Sequence, residues 1–351
     1  MVDFLLKEWL LLASGVGLLL TSVYSKHLPT YSAREFEILF ILFVLFVVVK
    51  GLQFSGLLAR LSFRIQKGKA VSLKLVAVTF FLSMLITNDA TLLVVVPLTL
   101  TLQVDRRDIL VILEALAANA GSALTPFGNP QNLFIYWYYN VPAPSFVETI
   151  APFSVMFLIL LLTTSFVVTS KSAAPSFIAK PPVEKSAPVY GALLLLVFLI
   201  VLRLLPIWVG LIVVALAVFL DRQTLFVDYA LLFTFFFFFG FAENMKFLLA
   251  SRISHSAHIF LFSALVSQVM SNVPATLLFA KFTSSWKALL WGSNAGGFGS
   301  LFGSLANLIA YKMYVSQKKT NDLGVFTVKF LVLGYAAFFL SIGLFFFLRH
   351  L

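Results

Sequence analysis

The chain has 351 residues, of which 61% are hydrophobic and only 11% are charged. Soluble domains carry about 25% charged residues, so an ordinary soluble protein is excluded, and the high hydrophobicity also excludes an intrinsically disordered chain. The net charge of +11 does not indicate nucleic-acid binding, because lysine and arginine lie mostly in short loops between apolar segments. The composition predicts an all-α polytopic membrane protein.

Long apolar segments in the first half predict membrane-spanning helices, since a helix needs roughly 20 apolar residues to cross a bilayer. The first segment has little positive charge before it and does not resemble a cleaved signal peptide, so we expect it to be retained. The predicted spans of this half are 5–24, 36–57, 109–140 and 148–169.

Residues 71–103 do not fit a simple span, because Thr87, Asn88 and Asp89 interrupt the apolar sequence. Each part on either side is too short to cross the membrane. Non-helical backbone at membrane depth is tolerated only where protein or a cavity surrounds it. We therefore predict a re-entrant hairpin over 71–103 and, in the next segment, a transmembrane helix that is broken at 125–129.

The second half follows the same plan after a polar, proline-containing linker at 171–187, which we expect to be cytoplasmic. Ser271, Asn272 and Pro274 interrupt a second predicted hairpin. The predicted elements of this half are spans at 188–204, 207–220, 228–246 and 325–348, a hairpin at 257–284, and a helix at 286–313 that is broken at 300–304.

The two halves are related in sequence by one constant offset of 175 residues. The matching pairs are Asn119 and Asn294, Gly121 and Gly296, Gly128 and Gly303, Asn132 and Asn307, and Leu133 and Leu308. A cytoplasmic N-terminus places more lysine and arginine inside than outside, and an odd number of crossings then separates the two hairpins. The sequence predicts an inverted-topology repeat of residues 1–170 and 188–351, with the C-terminus external.

The breaks place helix ends near the middle of the membrane. Half-helices are expected to begin at Ala90, at Pro130, near Pro274 and after Ser304. Each helix N-terminus is equivalent to roughly +0.5 charge, which favours a small anion. The predicted substrate- or ion-binding residues are Thr87, Asn88, Asp89, Asn119, Thr125, Gly128, Asn129, Ser271, Asn272, Asn294, Ser300, Gly303 and Ser304.

Coupling to a cation is expected from two features of the sequence, which are the carbonyl groups at the helix breaks and two acids in apolar segments. Carbonyl groups at the ends of the broken helices suit Na⁺, which we expect near Asn88, Gly128, Asn272 and Gly303.

Asp89 and Glu114 are the acids that lie deepest in apolar sequence, where a carboxylate costs about 2.5–3.5 kcal/mol, so both are candidates for carrying Na⁺ or H⁺. The alternative roles are a helix N-cap for Asp89 and an inward partner of Lys50 or Lys74 for Glu114.

The motifs at 87–89, 125–132, 271–274 and 294–307 resemble those of the ion transporter superfamily. This group includes divalent-anion/sodium symporters, arsenite permeases, citrate transporters and sodium/proton antiporters. The resemblance implies two re-entrant hairpins, two broken helices, a homodimer and elevator-type alternating access. The symporters have Ser-Asn-Thr at each hairpin tip, whereas this chain keeps the asparagine but not the third residue of the motif. In this respect the chain is more similar to the arsenite permeases.

The sequence therefore predicts a secondary active transporter of a small anion, either an inorganic oxyanion or a carboxylate, coupled to Na⁺ or H⁺. The alternatives are a Na⁺/H⁺ antiporter, which the two deep acids favour, and an arsenite efflux permease. We do not expect an enzyme, a channel, a resident cofactor or a nucleic-acid partner. The expected location is the inner or plasma membrane, and the expected partners are a small solute, the bilayer and a second copy of the chain.

Overall fold

The computed structural model describes residues 9–65, 70–102, 106–168, 182–249, 255–317 and 323–349. These residues form sixteen α-helices, one short 3₁₀-helix and no β-strand. The helices are α1 (Trp9–Ser25), α2 (Ala33–Phe54), α3 (Leu57–Ile65), α4 (Val71–Ser83), α5 (Asn88–Thr101), α6 (Arg107–Ser122), α7 (Pro130–Tyr138), α8 (Ala143–Val168), α9 (Ala187–Val201), α10 (Val209–Leu220), α11 (Tyr229–Leu249), α12 (Ser256–Met270), α13 (Asn272–Ala280), α14 (Trp286–Gly296), α15 (Leu305–Val315) and α16 (Leu323–Arg349).

Several of these helices are suited to a bilayer, and they confirm the predicted class of an all-helical, multi-pass membrane protein. Three stretches within the described residues are long and apolar enough to span it: Ala143–Val167, Arg222–Lys246 and Leu323–Leu348. Shorter apolar helices include α1, α9 and α10. Helix α3 was not predicted, because its nine residues are too few and too polar for a span.

Each of the four interrupted segments contains two helices. The breaks at 84–87 and 123–129 separate α4 from α5 and α6 from α7. Ser271 alone separates α12 from α13 with a φ of 75°, which ends the first helix because an α-helix requires a negative φ. Residues 297–304 separate α14 from α15.

One of the expected helix starts was wrong by two residues. Helix α5 begins at Asn88 rather than Ala90, because the Thr87 hydroxyl accepts a hydrogen bond from the Ala90 amide and serves as the N-cap. Helix α13 begins at Asn272, which is near Pro274 as expected. The starts at Pro130 and after Ser304 are those expected, and in both the preceding side chain accepts a backbone N–H.

Helices α6 and α14 lie at the centre of the protein. Every residue of α6 from Leu110 to Ser122 is buried, and so is every residue of α14 from Ala288 to Gly296. Close packing depends on glycine: a Cβ at Gly121 would lie 2.1 Å from the Phe80 carbonyl oxygen. The first parts of the two broken helices are therefore enclosed by protein.

The described part of the predicted linker, 182–187, lies beside the C-terminal end of α2. The Glu184 amide donates to the Ser55 carbonyl at 3.0 Å. Residues 171–181 of that linker lie outside the described residues.

Candidate functional site

A cavity of about 330 Å³ lies among the first turns of four helices. Asn88 begins α5, Gln131 follows the first residue of α7, Asn272 begins α13 and Leu305 begins α15, and all four line the cavity. Helix N-termini present amide groups without intrahelical partners and a partial positive charge. The arrangement suits a ligand that offers oxygen acceptors.

The two chain segments that enter this cavity are anchored in the same way. The Asn88 amide donates to the Gly128 carbonyl at 3.1 Å, and the Asn272 amide donates to the Gly303 carbonyl at 2.9 Å. Gly128 has no room for a side chain, because its Cβ would lie 2.3 Å from the Ser122 carbonyl oxygen. Backbone bonds of this kind fix the start of α5 to the break in the first broken helix and the start of α13 to the break in the second.

Asparagine side chains join the two broken helices to each other. Asn119 Nδ2 donates to Asn307 Oδ1 at 2.8 Å, and Asn294 Nδ2 donates to Asn132 Oδ1 at 2.9 Å. All four residues are buried. Both bonds run from the first part of one broken helix to the second part of the other. The two donors, Asn119 and Asn294, are related by the offset of 175 residues, and so are the two acceptors, Asn132 and Asn307.

Further polar contacts complete the buried network. Asn88 Nδ2 donates to Asn119 Oδ1 at 3.1 Å and lies 3.5 Å from Ser304 Oγ. Asn129 Nδ2 lies 3.3 Å from Asn294 Oδ1, while its Oδ1 caps α7. The structure therefore brings these predicted residues from the two halves into one cluster beside the cavity.

Three of the predicted site residues make contacts that hold the backbone. The Thr125 hydroxyl donates to the Met84 carbonyl at 2.7 Å, and the Ser300 hydroxyl donates to the Gln268 carbonyl at 2.7 Å. Thr87 caps α5 and lines a second, smaller cavity of about 160 Å³. Ser271 lines the large cavity at the turn between α12 and α13.

Asp89 lines both cavities. Its Oδ1 atom is buried and has no hydrogen-bond partner among the described residues. The alternative role as an N-cap was wrong, since Thr87 occupies that position. A buried carboxylate oxygen without a protein partner, on a residue that lines a cavity, is a candidate to bind a cation, a proton or a ligand hydroxyl.

Glu114 is equally deep but lies away from both cavities. Its side chain is fully buried, and the Thr99 hydroxyl donates to Oε1. Lys50, one of the partners considered for it, has its ammonium 5.1 Å from the centre of the Phe54 ring instead. The two acids therefore differ in their access to the candidate site.

Sequence reasoning missed four polar residues that line the large cavity, which are Gln131, Asp228, Thr234 and Lys312. Asp228 lines both cavities and caps α11 by accepting the Leu231 amide at 2.9 Å. It was missed because it lies at the edge of an apolar span, although an acid directly before a helix start is a recognisable signal. Gln131 was missed because it lies within the motif at 125–132, in which the binding role was assigned to Thr125, Gly128 and Asn129.

Two of the carbonyl groups expected to bind Na⁺ already accept hydrogen bonds within the protein. The carbonyls of Gly128 and Gly303 each accept one backbone hydrogen bond, which leaves one lone pair on each oxygen. Within the part of the chain that the structure describes, no group of three histidine, cysteine or acidic side chains could hold a metal. A coupling cation here would rely on carbonyl, amide and single carboxylate oxygens.

Comparison with known proteins gives consistent matches. The model of the citrate transporter family CitMHS matches residues 4–291. An uncharacterized transporter of Methanocaldococcus jannaschii is 32% identical over 85% of this chain and 86% of its own length. The inner membrane protein YbiR of Escherichia coli is 35% identical over 87% of this chain and 86% of its own length. A silicon efflux transporter of Oryza sativa is 34% identical over 35% of this chain and 27% of its own length.

Proposed function

Since the chain belongs to the citrate transporter family of membrane carriers, we propose that it is a secondary active transporter of a small anion coupled to Na⁺ or H⁺. The anion would be an inorganic oxyanion or a carboxylate. The observation that carries the proposal is the cavity among four helix N-termini, each of which contributes roughly +0.5 charge. The cavity is also lined by Asp89, whose buried Oδ1 atom has no hydrogen-bond partner among the described residues.

The predicted inverted repeat supports alternating access, and contacts at the two ends of α2 support the inverted repeat. With 22 residues, α2 is about 33 Å long, close to the thickness of a bilayer core. Near its start, Glu35 pairs with Lys281 at the open end of the second hairpin. Near its other end, Ser55 contacts the linker between the halves, so the open end of the second hairpin and the linker lie at opposite ends of α2.

We infer that the hairpins and broken helices move as one body in an elevator-type cycle within a homodimer. The crossed bonds of Asn119 with Asn307 and of Asn132 with Asn294 support this inference, because they join the two broken helices to each other. The backbone bonds from Asn88 to Gly128 and from Asn272 to Gly303 join each hairpin to one of the broken helices. The remaining helices would then form the fixed part of each protomer.

A Na⁺/H⁺ antiporter is the second candidate function. The observation that favours it is that Asp89 and Asp228 both line the large cavity, where Lys312 is the only basic side chain among the described lining residues. An efflux carrier of the arsenite-permease type remains a third proposal, and the partial likeness to a silicon efflux transporter supports an efflux direction.

Uptake into proteoliposomes tests the proposal. Purified protein is reconstituted and offered arsenite, sulfate, phosphate, citrate, succinate or Na⁺ under imposed Na⁺ or H⁺ gradients. The expected result is uphill accumulation of one anion with one gradient. Movement of Na⁺ against H⁺ with no anion dependence would replace the symporter proposal with the antiporter.

A further inference from the structure

The small cavity of about 160 Å³ lies between α2 and the first hairpin. Asp89 lines it at the hairpin tip, where it adjoins the large cavity, and Gln53 lines it in the last turn of α2. The cavity therefore leads from the candidate site towards the end of α2 that contacts the linker. The lining residues from α2 and from α5 with its N-cap are Phe46, Val49, Lys50, Gln53, Thr87, Asp89, Ala90 and Leu93.

The start of α2, in contrast, packs directly against the second hairpin and the first broken helix. Glu35 pairs with Lys281 of that hairpin at 2.7 Å, and their side chains are 1% and 7% exposed. Arg34 Nη1 donates to the Tyr138 carbonyl, at the end of α7, at 3.0 Å. Along α2, a space beside the hairpins therefore opens only towards the linker end within the described residues. Since we expect the linker in the cytoplasm, the small cavity is on the cytoplasmic side of Asp89.

Lys50 is the one basic residue among the described residues that line the small cavity. It directly follows the wholly apolar sequence 38–49 of α2. A lysine in an apolar membrane helix is costly and is by default a candidate for function. Its ammonium forms no ion pair with an acid of the described residues and lies 5.1 Å from the centre of the Phe54 ring. The positive charge of Lys50 is therefore not neutralised by a neighbouring carboxylate.

Two carboxylates also act on a solute in this cavity. Asp89 and Asp228 both line the region in which the small cavity adjoins the large one. They repel an anion and attract a cation, whereas Lys50 has the opposite effect. Apolar walls strengthen such fields relative to those in bulk water. Entry of an anion from the linker end therefore depends on Lys50.

We propose that the small cavity is the passage between the candidate site and the cytoplasm, and that Lys50 determines the selectivity of this passage for anions. Lys50 attracts an anion into the passage and lowers the local concentration of cations. This inference rests on the proposed transport function and adds to it a route and a specificity-determining residue.

Charged thiol reagents test the passage without a transported solute. The chain has no cysteine, so Leu93→Cys, at a cavity-lining position that is 46% exposed, provides a single reactive group. The probes are two membrane-impermeant methanethiosulfonates of similar size, the anionic sulfonatoethyl and the cationic trimethylammonioethyl reagent. Each is applied to one face or the other of vesicles that contain the full-length protein. We expect Leu93→Cys, and Gln53→Cys as a second position, to react from the cytoplasmic face.

Variants of Lys50 measure the charge selectivity in the Leu93→Cys background. Lys50→Gln should lower the ratio of the anionic to the cationic reaction rate about threefold to tenfold, because one positive charge beside the cavity is lost. Lys50→Arg keeps the charge and should keep the ratio. Lys287→Gln removes an exposed lysine at the start of α14 and is the matched control. For the anion that the protein accumulates in the uptake assay, Lys50→Gln should raise KM at the cytoplasmic face and leave kcat nearly unchanged.

Two results would overturn the inference. The first is that neither cysteine reacts from the cytoplasmic face, in variants that retain the Tm of the unmodified protein. The second is an unchanged rate ratio in Lys50→Gln, as expected of a lysine that only extends to the membrane surface. Both results leave the proposed transport function intact. Failure of every solute and ion in the uptake assay would instead overturn the transport function, whatever the reagent rates are.

Discussion

At the scale of single residues, Asp89 and Glu114 form a natural comparison. Both are acids in apolar sequence, and both have a buried carboxylate oxygen without a hydrogen bond from the described residues. Asp89 lines both cavities, whereas Glu114 is bonded to Thr99 and lines neither. A coupling ion or proton must enter and leave in each cycle, so access to a cavity separates a coupling role from a structural one.

We expect Asp89→Asn to uncouple transport while the protein still folds and binds solute. The substitution removes the charge but keeps an acceptor oxygen, so gradient-driven accumulation should be abolished while counterflow exchange continues. Uptake under a gradient and exchange without one are measured on the same proteoliposomes.

Glu114→Gln is the matched control for that variant and should retain most of the accumulation. If Asp89→Asn accumulates solute as the unmodified protein does, the coupling site must consist of carbonyl and amide oxygens instead.

At the scale of helices, small residues set the distance between the broken helices and their neighbours. Gly121→Ala on α6 should destabilise the protein by about 1–3 kcal/mol, because the added Cβ would lie 2.1 Å from the Phe80 carbonyl oxygen of α4. Backbone cannot move aside as a flexible side chain can. The free energy of unfolding in mixed detergent measures the effect.

Gly191→Ala on α9 is the control for that substitution, since no atom lies within 4 Å of the added Cβ. It should be neutral or stabilising by up to about 1 kcal/mol, as alanine is the better helix former. Equal losses in the two variants would contradict the packing explanation.

A buried ion pair joins α2 to the end of α13. Lys281 Nζ lies 2.7 Å from Glu35 Oε1 and 2.8 Å from Glu243 Oε2, and the side chains of Lys281 and Glu35 are 7% and 1% exposed. Lys281→Met should therefore cost about 3–5 kcal/mol of unfolding free energy, because it leaves the buried Glu35 carboxylate without its positively charged partner. Only the hydrogen bonds that Ser32 donates to Glu35 Oε2 would remain.

The double variant Glu35→Gln with Lys281→Met should recover part of that loss, since the unpaired charge is then gone. Lys287→Met removes an exposed lysine close to Lys281 and should change stability by less than about 1 kcal/mol. A similar loss from both lysine variants would argue against the buried pair.

At the scale of the whole molecule, the proposed inverted arrangement makes a prediction about topology. The chain has no cysteine, so single cysteines introduced on the surface report their own location. His27→Cys, between α1 and α2, should react with an impermeant maleimide from outside the cell. Lys185→Cys, in the linker between the halves, should react only after the membrane is permeabilised.

Both positions are exposed, so failure to label would not result from burial in the protein. Labelling of both cysteines from the same side would contradict the arrangement. It would also remove the main support for placing the two hairpins on opposite faces.

The sequence by itself determined the class of the protein and the four segments in which helices are interrupted. Length and apolar composition specify helices in lipid, because unpaired backbone groups are too costly there. The break before α7 is specified by the local sequence. Asn129 caps the helix, and a proline such as Pro130 is tolerated only in the first turn of a helix. Asp89 and Glu114 were identifiable because acids in long apolar segments are rare.

Only the tertiary structure decided which polar groups meet. Nothing near Asp89 in the chain shows that it lines a cavity and Glu114 does not, because that depends on how distant helices pack. The same holds for the bond between Asn119 and Asn307 and for the pairing of Glu35 with Lys281. Local sequence specifies where a helix starts and ends, whereas partners from distant parts of the chain are set by the packing of the whole bundle.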